Sequence, residues 1–233
     1  VMFHAIATPD REALIEYGEA GVKRMTWGEL DATINRLANA LRARGVGAGS
    51  RVALMLPNGG EYLIAQQALA RLDATAVQIG YRLKANEIAY FLSNAEPSAT
   101  LVHAAHLDVM TAARALAGRG GPMIVIGEPT AGAHIRPAAE IAEWKHALAE
   151  ASPEVPARTR RGGAQGGVIV YTSGTTGKSK GAYRSWRTVG LESVADMLHQ
   201  VGMRSDDRHL AVCPLYHSAA PAFVAIVLGL GGT

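Results

Sequence analysis

The chain has 233 residues, 48% of them apolar and 18% charged, with a net charge of +3 at pH 7 and one cysteine, Cys213. That length can bury one large or two small cores, the interspersed acids and bases exclude a nucleic-acid-binding stripe, and a lone cysteine excludes an intrachain disulfide and fits a reducing compartment. Asp10, Arg11 and Glu12 soon after Met2 exclude a signal-like apolar core, and the longest apolar run, Ala219 to Leu230, is too short to span a bilayer; the expectation is a soluble, cytoplasmic protein with no transmembrane segment.

The first predicted element is a helix. Thr26 and Glu29 have the capping-box spacing, Leu30, Ile34, Leu37 and Leu41 then recur on one face, and Gly45 ends the run. From Arg51 onward strands and helices alternate. Strands are predicted at 52–56, 74–79, 100–102 and 123–126, and helices at 61–72, 86–92, 105–116 and 138–149. Such alternation predicts an α/β fold with a mainly parallel sheet flanked by helices. The turn Pro57-Asn58-Gly59-Gly60 lacks the G-x-G-x-x-G spacing of a dinucleotide fold and reads as structural.

Residues 151–165 hold Pro153, Pro156 and the cluster Arg158, Arg160 and Arg161, and read as a solvated surface linker. The expected organisation is a first α/β subdomain over 1–150, a linker over 151–166, and over 167–233 the start of a second subdomain.

That second part opens on GGVIVYTSGTTGKSKG, Gly166 to Gly181. Val168-Ile169-Val170-Tyr171 reads as a buried strand. The ten residues from Thr172 to Gly181 are only Thr, Ser, Gly and Lys. Gly174, Gly177 and Gly181 allow close approach of backbone N–H groups to a ligand, while Thr172, Ser173, Thr175 and Thr176 add hydroxyls and Lys178 and Lys180 add positive charge. A strand that feeds small donors and two cations suits a polyphosphate. Further on, 188–203 reads as a helix and 209–213 as a strand. Arg184 and Arg187 are near enough in sequence to be phosphate ligands, although solvated surface residues are the plainer reading.

Two nucleotide motifs compete for the loop. A Walker P-loop would use Gly177-Lys178-Ser179, but it needs glycine where Thr172 stands and a helix starting at the lysine. The run from Tyr171 to Gly181 instead resembles the phosphate loop of the adenylate-forming enzymes, which include the acyl-CoA synthetases, luciferases and peptide-synthetase adenylation domains. Their pattern is Tyr/Phe-Thr-Ser-Gly-Thr/Ser-Thr-Gly-x-Pro-Lys-Gly. Ser179 is the one departure, where the family usually has proline, and Lys180 aligns with the family lysine. The segments TPDREALI, MTWGELDATINRLANALRARGV, RVALMLPNGGEYLIAQQALARL and RLKANEIAYFLSNAEPSATLVH also resemble the acyl-CoA synthetases. Within them Asp73 stands where the family usually has glycine, and Gln78 to Tyr81 replaces a proline-containing turn. Pro214-Leu215-Tyr216-His217 resembles the Pro-Leu/Met-Phe/Tyr-His element of the same family, which lies beside its acyl and nucleotide pockets.

The resemblance implies part of the large N-terminal domain of an adenylate-forming enzyme. It implies activation of a fatty or aryl carboxylic acid by ATP to an acyl-adenylate and pyrophosphate, followed by transfer to coenzyme A. Thr172, Ser173, Gly174, Thr175, Thr176, Gly177 and Lys180 would hold ATP phosphates, Thr172 would approach Mg²⁺, and His217 would contact substrate. No catalytic residue is assigned. The family's later motifs do not occur in residues 1–233, so the expectation is the N-terminal part of a longer enzyme, inactive alone. A non-catalytic nucleotide-binding module and a P-loop NTPase remain as alternatives.

Overall fold

The structure, a computed structural model, describes residues 1–18, 21–127, 141–157, 166–172, 179–186, 198–217 and 219–233. The chain begins with α1 (Met2–Ala7), the antiparallel hairpin β1 (Glu12–Gly18) and β2 (Gly21–Thr26), and α2 (Trp27–Ala43). There follow β3 (Arg51–Met55), α3 (Gly60–Arg71), β4 (Thr75–Gln78), α4 (Ala85–Ala95), β5 (Ala99–His103), α5 (Leu107–Ala117), β6 (Met123–Ile126), β7 (Ile141–Glu143) and α6 (Trp144–Ala149). The last elements are β8 (Gly167–Thr172), β9 (Lys180–Ser185) and α7 (Ala219–Leu230). Seven strands form one sheet in the order β7-β6-β5-β3-β4-β8-β9. All its pairings are parallel except that of β8 with β9.

Alternation along the strands explains why both faces carry helices, because successive side chains point to opposite sides of a pleated sheet. Val52, Leu54 and Leu56 enter a core with Leu30, Ile34, Leu37 and Leu41 of α2 and Leu69 of α3. Ala53 and Met55 enter a second core with Ile88 and Leu92 of α4 and Met110 and Ala113 of α5. The mainly parallel α/β architecture expected from the sequence is therefore present.

Helix ends follow the local chemistry. The Thr26 side chain accepts from Glu29 N–H while Glu29 accepts from Thr26 N–H, which makes the capping box. At the other end Gly45, with φ +86°, donates to Arg42 and Val46 donates to Leu41, both at 3.0 Å. That is the Schellman arrangement. The same pair of bonds closes α3, from Asp73 to Ala70 at 3.2 Å and from Ala74 to Leu69 at 3.0 Å. Here the left-handed residue is Asp73, with φ +51°. The position where the resemblance has glycine is thus the one that favours glycine.

Several expectations need correction. Residues 141–149 are not one helix, since Ile141–Glu143 pairs with β6 and only Trp144–Ala149 is helical; 138–140 lie outside the described residues. Residues 209–213 form no strand. Their main-chain bonds include His209 N–H to the Thr233 carbonyl at 2.8 Å, and Leu210 and Val212 are 75% and 74% exposed. A strand needs a pairing neighbour, and these residues pair with none among those described. Of the predicted helix 188–203, the part 188–197 lies outside the described residues, and 198–201 is helical. β8 pairs with β4, so one sheet holds strands from both sides of residues 151–166. The first half of that stretch is held to α2, where Asn39 donates to the Ser152 and Glu154 carbonyls at 2.9 and 2.8 Å. Among the described residues no helix is long and apolar enough to cross a membrane.

Asp73→Gly should raise stability by about 0.5–1 kcal/mol, the roughly 1–2 kcal/mol left-handed penalty less the unfolded-state entropy that glycine adds. A higher urea midpoint checks this; an unchanged or lower midpoint contradicts it.

Candidate functional site

Parallel strands end on one edge of the sheet, and of the sequence-predicted site residues the described ones, Thr172, Lys180 and His217, lie at or beside it. β8 reaches the edge at Thr172, and β9 leaves it with Lys180 directly opposite Thr172 and Gly181 opposite Tyr171. Thr172 and Lys180 are therefore the paired strand ends at this edge. Lys180 is exposed at the first position of β9. A Cβ on Gly181 would lie 3.1 Å from the Ile169 side chain and 3.3 Å from the Tyr171 ring, so close packing against β8 favours glycine there. Ser173, Gly174, Thr175, Thr176 and Gly177 lie outside the described residues, as do Lys178 and Arg187. Arg184 is opposite Val168 at the far end of the hairpin, roughly 14 Å along the strand from Lys180, and is not brought to the loop.

The second motif turns beside the same edge. His217 N–H bonds the Pro214 carbonyl at 3.1 Å, and the His217 side chain is exposed. The turn is fastened by the segment that starts α3. Asn58 donates to the Cys213 carbonyl at 2.9 Å and accepts from Leu215 N–H at 2.8 Å. Tyr62, at the first turn of α3, donates to the Leu215 carbonyl at 2.7 Å. Its hydroxyl also touches the Gln78 side chain at the end of β4 and lies 3.5 Å from Gln66 Nε2. One hydroxyl hydrogen serves one acceptor, so Gln78 must present its amide N–H, not its carbonyl, to Tyr62. Burial pushes the Tyr62 hydroxyl far above its ordinary pKa, so it remains a donor. Sequence reasoning took Pro57–Gly60 as a structural turn and missed Asn58, whose partners lie more than 150 residues away in the chain.

A line of rings continues from this turn. Tyr216 is 4.4 Å from His217, Tyr81 5.4 Å from Tyr216, His106 5.7 Å from Tyr81, and His103 6.1 Å from His106, centroid to centroid. Burial holds His103 below its ordinary pKa, with Glu61 opposing; His106 is lowered by burial and then by His103. Both are neutral at pH 7. His103 is the last residue of β5, and His106 lies just past it. The connection from β3 runs to β4 on one side and that from β5 to β6 on the other. That makes the β3/β5 edge the crevice where doubly wound sheets bind ligands.

An apolar cavity of about 400 Å³ lies behind the Asn58 turn, walled by Leu14, Leu63, Leu215, Val224 and Val227. None of the described sequence-predicted site residues lines it. Among the described residues no three His, Cys, Asp or Glu side chains are grouped to hold a metal ion.

Asn58→Ala should cost about 1–3 kcal/mol, because it leaves a partly buried N–H and a carbonyl without partners. Chemical denaturation and faster amide exchange at Leu215 check this; unchanged exchange there would show that the turn does not depend on Asn58.

Comparison with known proteins agrees with this geometry. The chain is 33% identical over 198 residues to the long-chain-fatty-acid–CoA ligase FadD13 of Mycobacterium tuberculosis, covering 84% of this chain and 36% of that protein. It is 30% identical over 214 residues to a feruloyl-CoA synthase of Amycolatopsis, covering 91% of this chain and 39% of that protein. The chain thus spans well under half the length of these curated relatives. Its fold matches the inhibitor-bound crystal structure of the N-terminal domain of FACL13 from M. tuberculosis with a TM-score of 0.78 and 29% identity, over 100% of this chain and 54% of that one. It also matches ATP-bound MatB from Rhodopseudomonas palustris with a TM-score of 0.73 and 27% identity, over 98% of this chain and 43% of that one. The AMP-binding enzyme family matches residues 3–233, and with that match over nearly its whole length the chain belongs to that family.

Proposed function

We propose that the chain is the N-terminal part of an acid–CoA ligase, and that its β8–β9 hairpin grips the triphosphate of ATP. The observation that carries this reading is the reversal at the sheet's C-terminal edge, closed by Thr172 and Lys180. The names of relatives, a fatty-acid–CoA ligase, a feruloyl-CoA synthase and ATP-bound MatB, support an alkyl or aryl carboxylic acid, ATP and coenzyme A as reactants. The acid attacks the α-phosphate, giving acyl-adenylate and pyrophosphate, and the thiol of coenzyme A then displaces AMP.

On this reading Thr172, Ser173, Gly174, Thr175, Thr176 and Gly177 surround the β- and γ-phosphates with N–H and hydroxyl donors, and Lys180 adds charge. Such a cradle works by orientation and by stabilising charge on phosphate oxygens. Mg²⁺ in nucleotide sites keeps its waters and binds mainly phosphate oxygens plus one or two protein oxygens. The hydroxyl of Thr172, at the strand end where the loop starts, is a suitable hard ligand, and the ion would neutralise the leaving pyrophosphate. His217, exposed beside neighbouring strand ends, shapes the acyl side and meets the substrate carboxylate, without acting as general base. Residues 1–150 are the scaffold, and 167–233 open the phosphate-binding half. Cys213 is a free exposed thiol, in keeping with a reducing cytoplasm.

A Walker NTPase is disfavoured by a specific observation. The chain leaves the loop as strand β9 and not as a helix, whereas the Walker lysine sits where a helix begins.

The two lysines separate these readings. In the intact protein, Lys180→Ala should reduce ATP–pyrophosphate exchange roughly 10–100-fold, the size of a charge-assisted contact, and Lys178→Ala should reduce it much less. A larger loss at Lys178 would overturn the assignment.

A further inference from the structure

We infer that Tyr90 and Asn94 of α4 are positioning residues for the phosphate loop, holding its two shoulders in place. The inference rests on the nucleotide reading of residues 172–180. On the rising side, Tyr171 lies flat on Phe91, with ring centroids 3.9 Å apart and planes 6° apart. The Tyr171 hydroxyl donates to Asn94 Oδ1 at 2.8 Å. On the returning side, the Tyr90 hydroxyl donates to the Ser179 carbonyl at 3.1 Å. One helix therefore reaches both ends of a loop whose closing pair is Thr172 and Lys180.

These contacts are not needed to dock the helix. α4 meets the core through Ile88, Ala89 and Leu92. Tyr90 and Asn94 are four apart on one side of α4, away from Ile88 and Leu92, and both are exposed. Burial, reinforced by Tyr90, pushes the Tyr171 hydroxyl up to about 12, so it stays a donor at neutral pH. Ser179 gives the arrangement its sense. The related phosphate loops usually have proline there, which fixes φ by its ring. This chain lacks that constraint, and Tyr90 holds the carbonyl of the same residue instead. Restraining both shoulders before ATP arrives removes part of the ordering that binding would otherwise require.

The test measures ATP affinity by calorimetry, with melting temperature alongside, in the intact protein and its variants. Tyr90→Phe and Asn94→Ala should each weaken ATP binding about 3- to 10-fold, as expected for one neutral hydrogen bond, with melting temperature and the KM for the acid unchanged. Asn94→Asp, which keeps an acceptor, should retain affinity. Ser179→Pro should restore the affinity of Tyr90→Phe, a rescue that a merely structural tyrosine would not show. Wild-type ATP affinity in both Tyr90→Phe and Asn94→Ala overturns the inference, as do losses that track falling melting temperature. A wild-type protein that binds no ATP overturns the nucleotide reading and this inference together, and that arm separates the two failures.

Discussion

The parallel pairing of β8 with β4 is the constraint on which the site depends. Val168, Ile169 and Val170 align with Ala76, Val77 and Gln78, so β8 must run to the same edge at which β3, β4 and β5 end. Its antiparallel partner β9 starts back from that edge, with Lys180 opposite Thr172. The opposite end of the hairpin is fastened as firmly. Trp186 donates through Nε1 to the Ala74 carbonyl at 3.0 Å and through its N–H to the Gly166 carbonyl at 3.1 Å. A Cβ on Gly166 would lie 2.5 Å from the Ala74 oxygen, so the backbones meet there directly.

Two kinds of interaction divide the work. Apolar burial holds the layers together: each inward side chain of α2, such as Leu30 or Ile34, contributes roughly 1.5–3 kcal/mol. The polar contacts at the edge are individually smaller, about 0.5–1.5 kcal/mol net for a neutral bond, and cannot decide the fold. They decide geometry. Asn58 and Tyr62 bind the main chain of residues 213–215, and Tyr90 and Asn94 reach the shoulders of the loop. Directional bonds suit that purpose, because apolar packing resists sliding weakly while a bond at 2.8 Å does not tolerate it.

What the sequence disclosed was local. The capping box at Thr26 and Glu29, the apolar strands β3 to β6 and the composition of 172–181 are all short-range signals, and each was readable. β9 was not, because Lys-Gly-Ala-Tyr-Arg-Ser carries no apolar alternation; it is an exposed edge strand whose existence depends on β8. The β1–β2 hairpin was missed although two strand-like runs separated by a few residues that include glycine are a recognised hairpin signal. Residues 209–213 failed in the opposite sense, with strand-forming side chains but no neighbour to pair with. Asn58, Tyr90 and Asn94 could not be found from spacing at all, since their partners are distant in the chain and their residue types are ordinary for a turn or a helix surface.

Amide chemical shifts of the ¹⁵N-labelled protein, titrated separately with ATP and with inorganic triphosphate, test most directly whether the β8–β9 hairpin is the triphosphate site. The account predicts that the largest changes fall within residues 172–180 and at the facing side of α4, and that triphosphate reproduces them. Changes confined to the apolar cavity walled by Leu14, Leu63 and Val227, or none at all at saturating ATP, would contradict it.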